Sequence, residues 1–187
     1  MQSEQEYFEG AKPLARYMED MTTKKEESFA VYEDFEVPAD DEFIELLKMK
    51  SPHILAITED WCGDAMMNNA ILRKIAEAAD IEIRTVLRDE NLELMDQYLT
   101  NGGRSIPVYL LLSEDGEVLA KWGPRADSVQ SFVMEGRAEL PVKEDPAFEE
   151  EQKKFYENLM TEFVKNKEFH LAVYESIRNS WMQVLQK

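Results

Sequence analysis

Residues 53–79 read HILAITEDWCGDAMMNNAILRKIAEAA, and this stretch decides the fold. His53–Thr58 is a short apolar run suited to a strand buried on both faces. From Cys62 to Ala79 the spacing turns helical, with Met66, Ile71, Leu72 and Ile75 as the inward residues. Between the two lies Glu59-Asp60-Trp61-Cys62-Gly63-Asp64-Ala65, which sets a cysteine at the mouth of a helix just after a strand.

Working outward, Ile81–Leu87 alternates like a strand, and Asn91–Thr100 reads as a helix stopped by Asn101-Gly102-Gly103. Val108–Leu112 and Val118–Trp122 flank Glu114-Asp115-Gly116, the composition of a hairpin turn. Asp127 with Gln130 three residues on resembles a capping pair for a helix to about Glu139. Upstream, Asp40 and Asp41 suit the start of a short helix carrying Phe43, Ile44, Leu46 and Leu47. This order predicts an α/β fold, a central mixed β-sheet with helices on both faces. Helical crossovers supply its parallel part and the final hairpin an antiparallel edge.

The flanks add helices. Residues 1–39 read as an N-terminal helical extension, with a helix over 4–22 that Pro13 kinks or restarts, and an ambiguous stretch at Ser28–Pro38. Residues 40–140 form the core domain. After Pro141-Val142-Lys143-Glu144-Asp145-Pro146, residues 146–187 form a C-terminal helical segment of one long or two shorter helices. Its apolar residues, Phe148, Phe155, Leu159, Phe163, Val173, Ile177, Trp181 and Val184, either cover the chain's own core or offer a dimer or partner surface.

Lys and Arg number 21 against 39 Asp and Glu, a net charge of −18 spread along residues 1–145 rather than held in a tail. Such a field repels phosphate backbones, so nucleic acid is excluded as a general partner. No run approaches the roughly 18 uninterrupted apolar residues that cross a bilayer, so no membrane partner is expected. MQSEQEYFEGAK lacks the basic-then-apolar order of a signal peptide, and a lone cysteine fits a reducing compartment. A cytoplasmic protein is the expectation. One cysteine excludes an internal disulfide and a cysteine-rich zinc site. His53 and His170 stand in no ligand spacing, so no metal is expected.

Cys62 carries the chemistry. A helix N-terminus stabilises a thiolate, the reactive form. Trp61 forms an apolar rim beside the sulfur and Gly63 leaves room for close approach. Asp60 and Asp64 push the other way, raising the thiol pKa, and Arg88 and Arg104 are the basic groups expected to offset them.

WCGDA, followed by a strand–helix block and then Ser105-Ile106-Pro107 before the hairpin, resembles the thioredoxin superfamily. The resemblance covers about residues 40–140 and implies a thioredoxin-like fold. It also implies that Cys62 is the attacking cysteine, and that Ile106–Pro107 is a cis peptide positioning substrate beside it. Trp61, Gly63 and Asp64 would then shape the approach. The departures are informative. Ala65 stands where the resolving cysteine would be, Asp64 replaces the motif's proline, and Ala56 occupies the place of a buried acid. An ordinary dithiol cycle is therefore rejected.

Three readings remain. In the first, Cys62 is a monothiol that exchanges with protein or small-thiol mixed disulfides, a low-molecular-weight thiol serving as co-substrate and no other cofactor being needed. In the second, the groove beside Pro107 binds an extended peptide without chemistry. In the third, Cys62 senses oxidation.

Overall fold

The computed structural model describes residues 2–187 and gives a five-stranded mixed sheet wrapped by helices. The N-terminal part runs α1 (Glu4–Gly10), β1 (Lys12–Pro13), α2 (Leu14–Asp20) and α3 (Lys25–Asp34). The middle follows as α4 (Asp41–Lys50), β2 (His53–Thr58), α5 (Gly63–Ala79), β3 (Ile83–Leu87), a 3-10 turn (Arg88–Glu90) and α6 (Leu92–Met95). Then come β4 (Val108–Leu112), β5 (Val118–Trp122) and α7 (Asp127–Ala138). Two long helices, α8 (Phe148–Lys165) and α9 (Lys167–Leu185), end the chain. The strand order is β1-β3-β2-β4-β5, with β2 and β3 parallel through the α5 crossover and every other pair antiparallel.

The period of two in β2 and β4 divides the interior into two apolar clusters. Ile54, Ala56, Tyr109 and Leu111 face the larger one, packed by residues of α2–α5 and α7–α9. Leu55, Ile57, Val108, Leu110 and Leu112 face the smaller one, closed by Tyr7 and Phe8 of α1 and by Leu94 and Met95 of α6.

Several expectations need correction. The helix over 4–22 does restart at Pro13, the cap of α2, but it is interrupted by a strand that was not expected: Lys12–Pro13 pairs with Thr85 and Arg84 at the sheet's edge. The ambiguous stretch falls mostly within α3, whose Ser28 hydroxyl donates to the Met66 carbonyl at 2.8 Å. The helix expected over 91–100 is a single turn, Leu92–Met95. It stops well short of the expected end, and Thr100 forms a bridge with Gly103. The expected capping pair does not form. Asp127 is the first residue of α7 rather than its cap, and Gln130 accepts from Arg125 Nη1 at 2.9 Å.

The last residues join the core. Asn166 is the one residue between α8 and α9, and its side chain caps α9 by accepting from the Glu168 and Phe169 amides. In the same turn His170 is buried against the Phe163 carbonyl, 2.7 Å from Nε2. Trp122 Nε1 donates to Ser176 Oγ at 2.9 Å, which fixes α9 to β5. Arg178 and Tyr174 of α9 both bond Asp40, the cap of α4. Trp181 is fully buried.

Trp181→Ala is expected to destabilise the whole molecule by about 3–5 kcal/mol, the usual loss for a fully buried aromatic. Urea unfolding checks this; a smaller midpoint shift with an unchanged slope would show α9 to be a detachable appendage.

Candidate functional site

β2 ends at Thr58 and α5 begins at Gly63, so Cys62 takes the N-cap position of a 17-residue helix. The cap residue has extended backbone, which turns the chain from strand into helix and leaves the thiol beyond the C-terminal end of the central strand. Cys62 is partly exposed as a residue, and its sulfur meets the turn before β4. Sγ donates to the Ile106 carbonyl oxygen at 3.6 Å, and Ile106–Pro107 is a cis peptide. Trp61, 48% exposed, stands on the open side. Cys62, Trp61, Gly63, Asp64, Ile106 and Pro107 thus lie together around one short turn of chain.

A second prolyl turn backs the first. Gly123–Pro124 is also cis, and Gly123 adopts φ +117°, where a side chain would overlap the Pro107 carbonyl oxygen. Asn68 Nδ2 of α5 donates to the Pro124 carbonyl at 2.8 Å. This anchoring delivers Arg125 to Asp64 in a two-pronged ion pair, Nε to Oδ1 at 2.7 Å and Nη2 to Oδ2 at 2.9 Å. The two side chains are only 14% and 12% exposed.

Burial pushes the Cys62 thiol up to about 11, and the Asp64 carboxylate adds to the rise. The amides of Ala65 and Asp64 and the Arg125 guanidinium pull in the opposite direction without overcoming it. The cation that opposes Asp64 is therefore Arg125, not Arg88 or Arg104. Arg88 lies 5.0 Å from the centre of the Trp61 ring and donates to the Arg104 carbonyl at 3.1 Å. Arg104 itself is exposed and bound to Asp96 at 2.6 and 2.9 Å. Asp60 is also spoken for: Thr22 and Thr23 give its carboxylate three hydrogen bonds that hold its pKa down.

The inner wall is polar but uncharged. Tyr109 donates to Asn69 Oδ1 at 2.6 Å, and Asn69 Nδ2 donates to Thr58 Oγ1 at 3.0 Å. Ala56 is fully buried in this layer, paired with Tyr109 and Thr85 across the sheet. On the α8 side, a side chain at Gly63 would overlap Sδ and Cε of Met160, and Phe163 Cδ2 would lie 3.6 Å away. The open space expected at Gly63 is thus filled by the C-terminal helix. Sequence reasoning missed Arg125 and Met160, which lie 61 and 97 positions after the residues they cover. A lone arginine after Gly-Pro was the one local signal for the first.

No three His, Cys, Asp or Glu among the described residues converge to hold a metal ion. No helix among them is long and apolar enough to cross a membrane.

A family model described as thioredoxin matches residues 11–141. Two solved structures resemble the fold. One is a protein of unknown function from Pseudomonas aeruginosa, 18% identical, with a TM-score of 0.62 over 95% of this chain and 99% of that one. The other is an HIV epitope-scaffold, also 18% identical, with a TM-score of 0.59 over 93% of this chain and 98% of that one. No curated protein matches.

Asp64→Asn is expected to make the Cys62 thiol more acidic, because it removes a negative charge and leaves the Arg125 charge uncompensated. The same change should reduce stability by about 3–5 kcal/mol, as for one partner of a buried pair. Thiolate absorbance against pH reads the first and denaturant unfolding the second; an unmoved or raised thiol pKa would contradict this electrostatic assignment.

Proposed function

We propose, from the premise that the chain belongs to the thioredoxin family, that it performs monothiol thiol–disulfide exchange at Cys62 on protein or small-thiol mixed disulfides. The observation that supports this most directly is the meeting of Cys62 Sγ and the Ile106 carbonyl at 3.6 Å beside half-exposed Trp61. In this reading a segment carrying a disulfide lies along the Ile106–Pro107 turn with Trp61 as its apolar rim, while Gly63 and Asp64, covered by Met160 and Arg125, hold the cysteine's turn from behind.

The exchange begins when Cys62 gives its proton to solvent. Its thiolate attacks one sulfur of the docked disulfide, so a bond to Cys62 forms as the original S–S bond breaks. The departing thiolate takes up a proton. A low-molecular-weight thiol then attacks the Cys62 sulfur, carries away the retained partner as a new disulfide and restores the free thiol. Ala65 offers no internal sulfur to compete, so the second thiol comes from solution. That requirement fits a reducing compartment, and we place the protein in the cytoplasm on this ground.

Magnitudes set the tempo. A thiol near 11 is thiolate in about one molecule in 10⁴ at pH 7, roughly a hundredfold less than an unperturbed cysteine at 9.0. Greater intrinsic nucleophilicity recovers about tenfold of that. Exchange would therefore run about tenfold slower than at an ordinary free cysteine unless docking raises the local concentration of the disulfide. The raised thiol also favours a second reading, peptide docking without chemistry, and speaks against an oxidation sensor, which needs an acidic and accessible sulfur.

The test combines iodoacetamide alkylation with turnover of a peptide–glutathione mixed disulfide in the presence of glutathione. Alkylation should rise with pH toward about 11, and turnover should vanish in Cys62→Ser. Turnover that survives Cys62→Ser would refute exchange at this sulfur; peptide capture without turnover, unchanged in Cys62→Ser, would establish the docking reading.

A further inference from the structure

A thiolate at Cys62 is short of donors. Burial and Asp64 hold the thiol up, opposed by the Ala65 and Asp64 amides and the Arg125 guanidinium. The Ile106 carbonyl, which accepts from the thiol at 3.6 Å, becomes a repulsive neighbour once the proton leaves. The anion therefore calls for a further donor on the side where the sulfur meets the core.

One stands there. The end of α2 is sewn to the turn that carries the cysteine, because Thr22 and Thr23 give Asp60 three hydrogen bonds of 2.9, 3.0 and 3.3 Å. Just over one helical turn earlier, Tyr17 is only 7% exposed and packs in the larger apolar cluster, with its hydroxyl beside Thr58, Cys62 and Tyr109. That hydroxyl is buried and has no hydrogen-bond partner among the described residues. The acceptors around it are engaged elsewhere. Asn69 Oδ1 accepts from Tyr109, Thr58 Oγ1 from Asn69, Asp60 from Thr22 and Thr23, and Glu59 from the Asp89 amide.

Leaving a buried donor unpaired is costly. Among these neighbours the sulfur alone changes from donor to acceptor during the exchange. We propose that the Tyr17 hydroxyl is the donor that receives the Cys62 thiolate, bonding the sulfur as soon as its proton has gone to solvent and before the sulfur attacks. The assignment rests on the exchange reading, which makes the thiolate the working form. Tyr17 keeps its own proton throughout: burial, then the charges of Asp60 and Glu59, hold its hydroxyl above the usual tyrosine range. Tyr109 cannot take the role, since its hydroxyl is committed to Asn69 at 2.6 Å.

The test follows the infrared S–H stretch of the one cysteine against pH, a band that tyrosine does not share. Tyr17→Phe is expected to reduce the thiolate fraction about tenfold, so that the band is lost about one pH unit later than in the wild type. Iodoacetamide alkylation below that range should slow about threefold, because the more basic sulfur recovers part of the loss through greater nucleophilicity. At neutral pH the same variant should unfold at no lower denaturant concentration than the wild type, since it loses only an unpartnered hydroxyl; a merely structural tyrosine would show the reverse pattern. An S–H titration that does not move in Tyr17→Phe, or that moves equally in Tyr109→Phe, would overturn the assignment. Turnover of the mixed disulfide in the same samples keeps the two claims apart. Wild-type turnover with an unmoved titration removes Tyr17 and leaves exchange standing, whereas a moved titration without turnover in the wild type supports the Tyr17 donor and removes exchange.

Discussion

Strands β2 and β4 have almost no face left for water, and this constraint organises the molecule. A strand buried on both sides needs an apolar layer above and below it, and neither layer comes from one part of the chain. One is supplied by α1 and α6; the other draws on helices from residue 14 to residue 185. The C-terminal helices are therefore wall rather than ornament, tied to β5 through Trp122 and to the start of α4 through Asp40. Because β2 is held on both faces, the point where the chain leaves it is fixed, and Cys62 stands at that point.

The surroundings of this cysteine are unusual for a place where a thiolate would be made. The helix end and a nearby guanidinium favour the anion, but apolar burial and an adjacent carboxylate outweigh them. The thiol keeps its proton and donates it to a peptide carbonyl. Arg125 and Asp64 largely cancel each other, so the local field depends on two side chains anchored through separate elements, a prolyl turn and the first turn of α5.

Much of the sheet was legible because the signals were local. HILAIT, VYLLL and VLAKW are apolar runs bounded by turns, and their spans agree with β2, β4 and β5. Asp40 caps α4 as a short acidic side chain before an apolar helix should. What escaped was non-local. Lys12–Pro13 is a strand only because Thr85 and Arg84 lie beside it. The stretch after Asn91 has helical spacing but yields after one turn, and Tyr98 packs into the smaller apolar cluster instead. The thiol and the prolyl turn could be paired through the family resemblance, since both sit in its motifs. Arg125 and Met160 carry no such mark, and their roles come from packing between distant segments.

Met160 against Gly63 gives the cysteine a closed flank. With the C-terminal helix seated on that glycine, a chain docking as the proposed exchange requires would have to enter past the indole and the Arg88 that lies over it. The corridor is asymmetric: sulfur, carbonyl and aromatic face line one side, and the chain's own helix shuts the other. A guest able to wrap around the loop from both sides would be turned away, whereas one that lies flat along a single edge would be admitted.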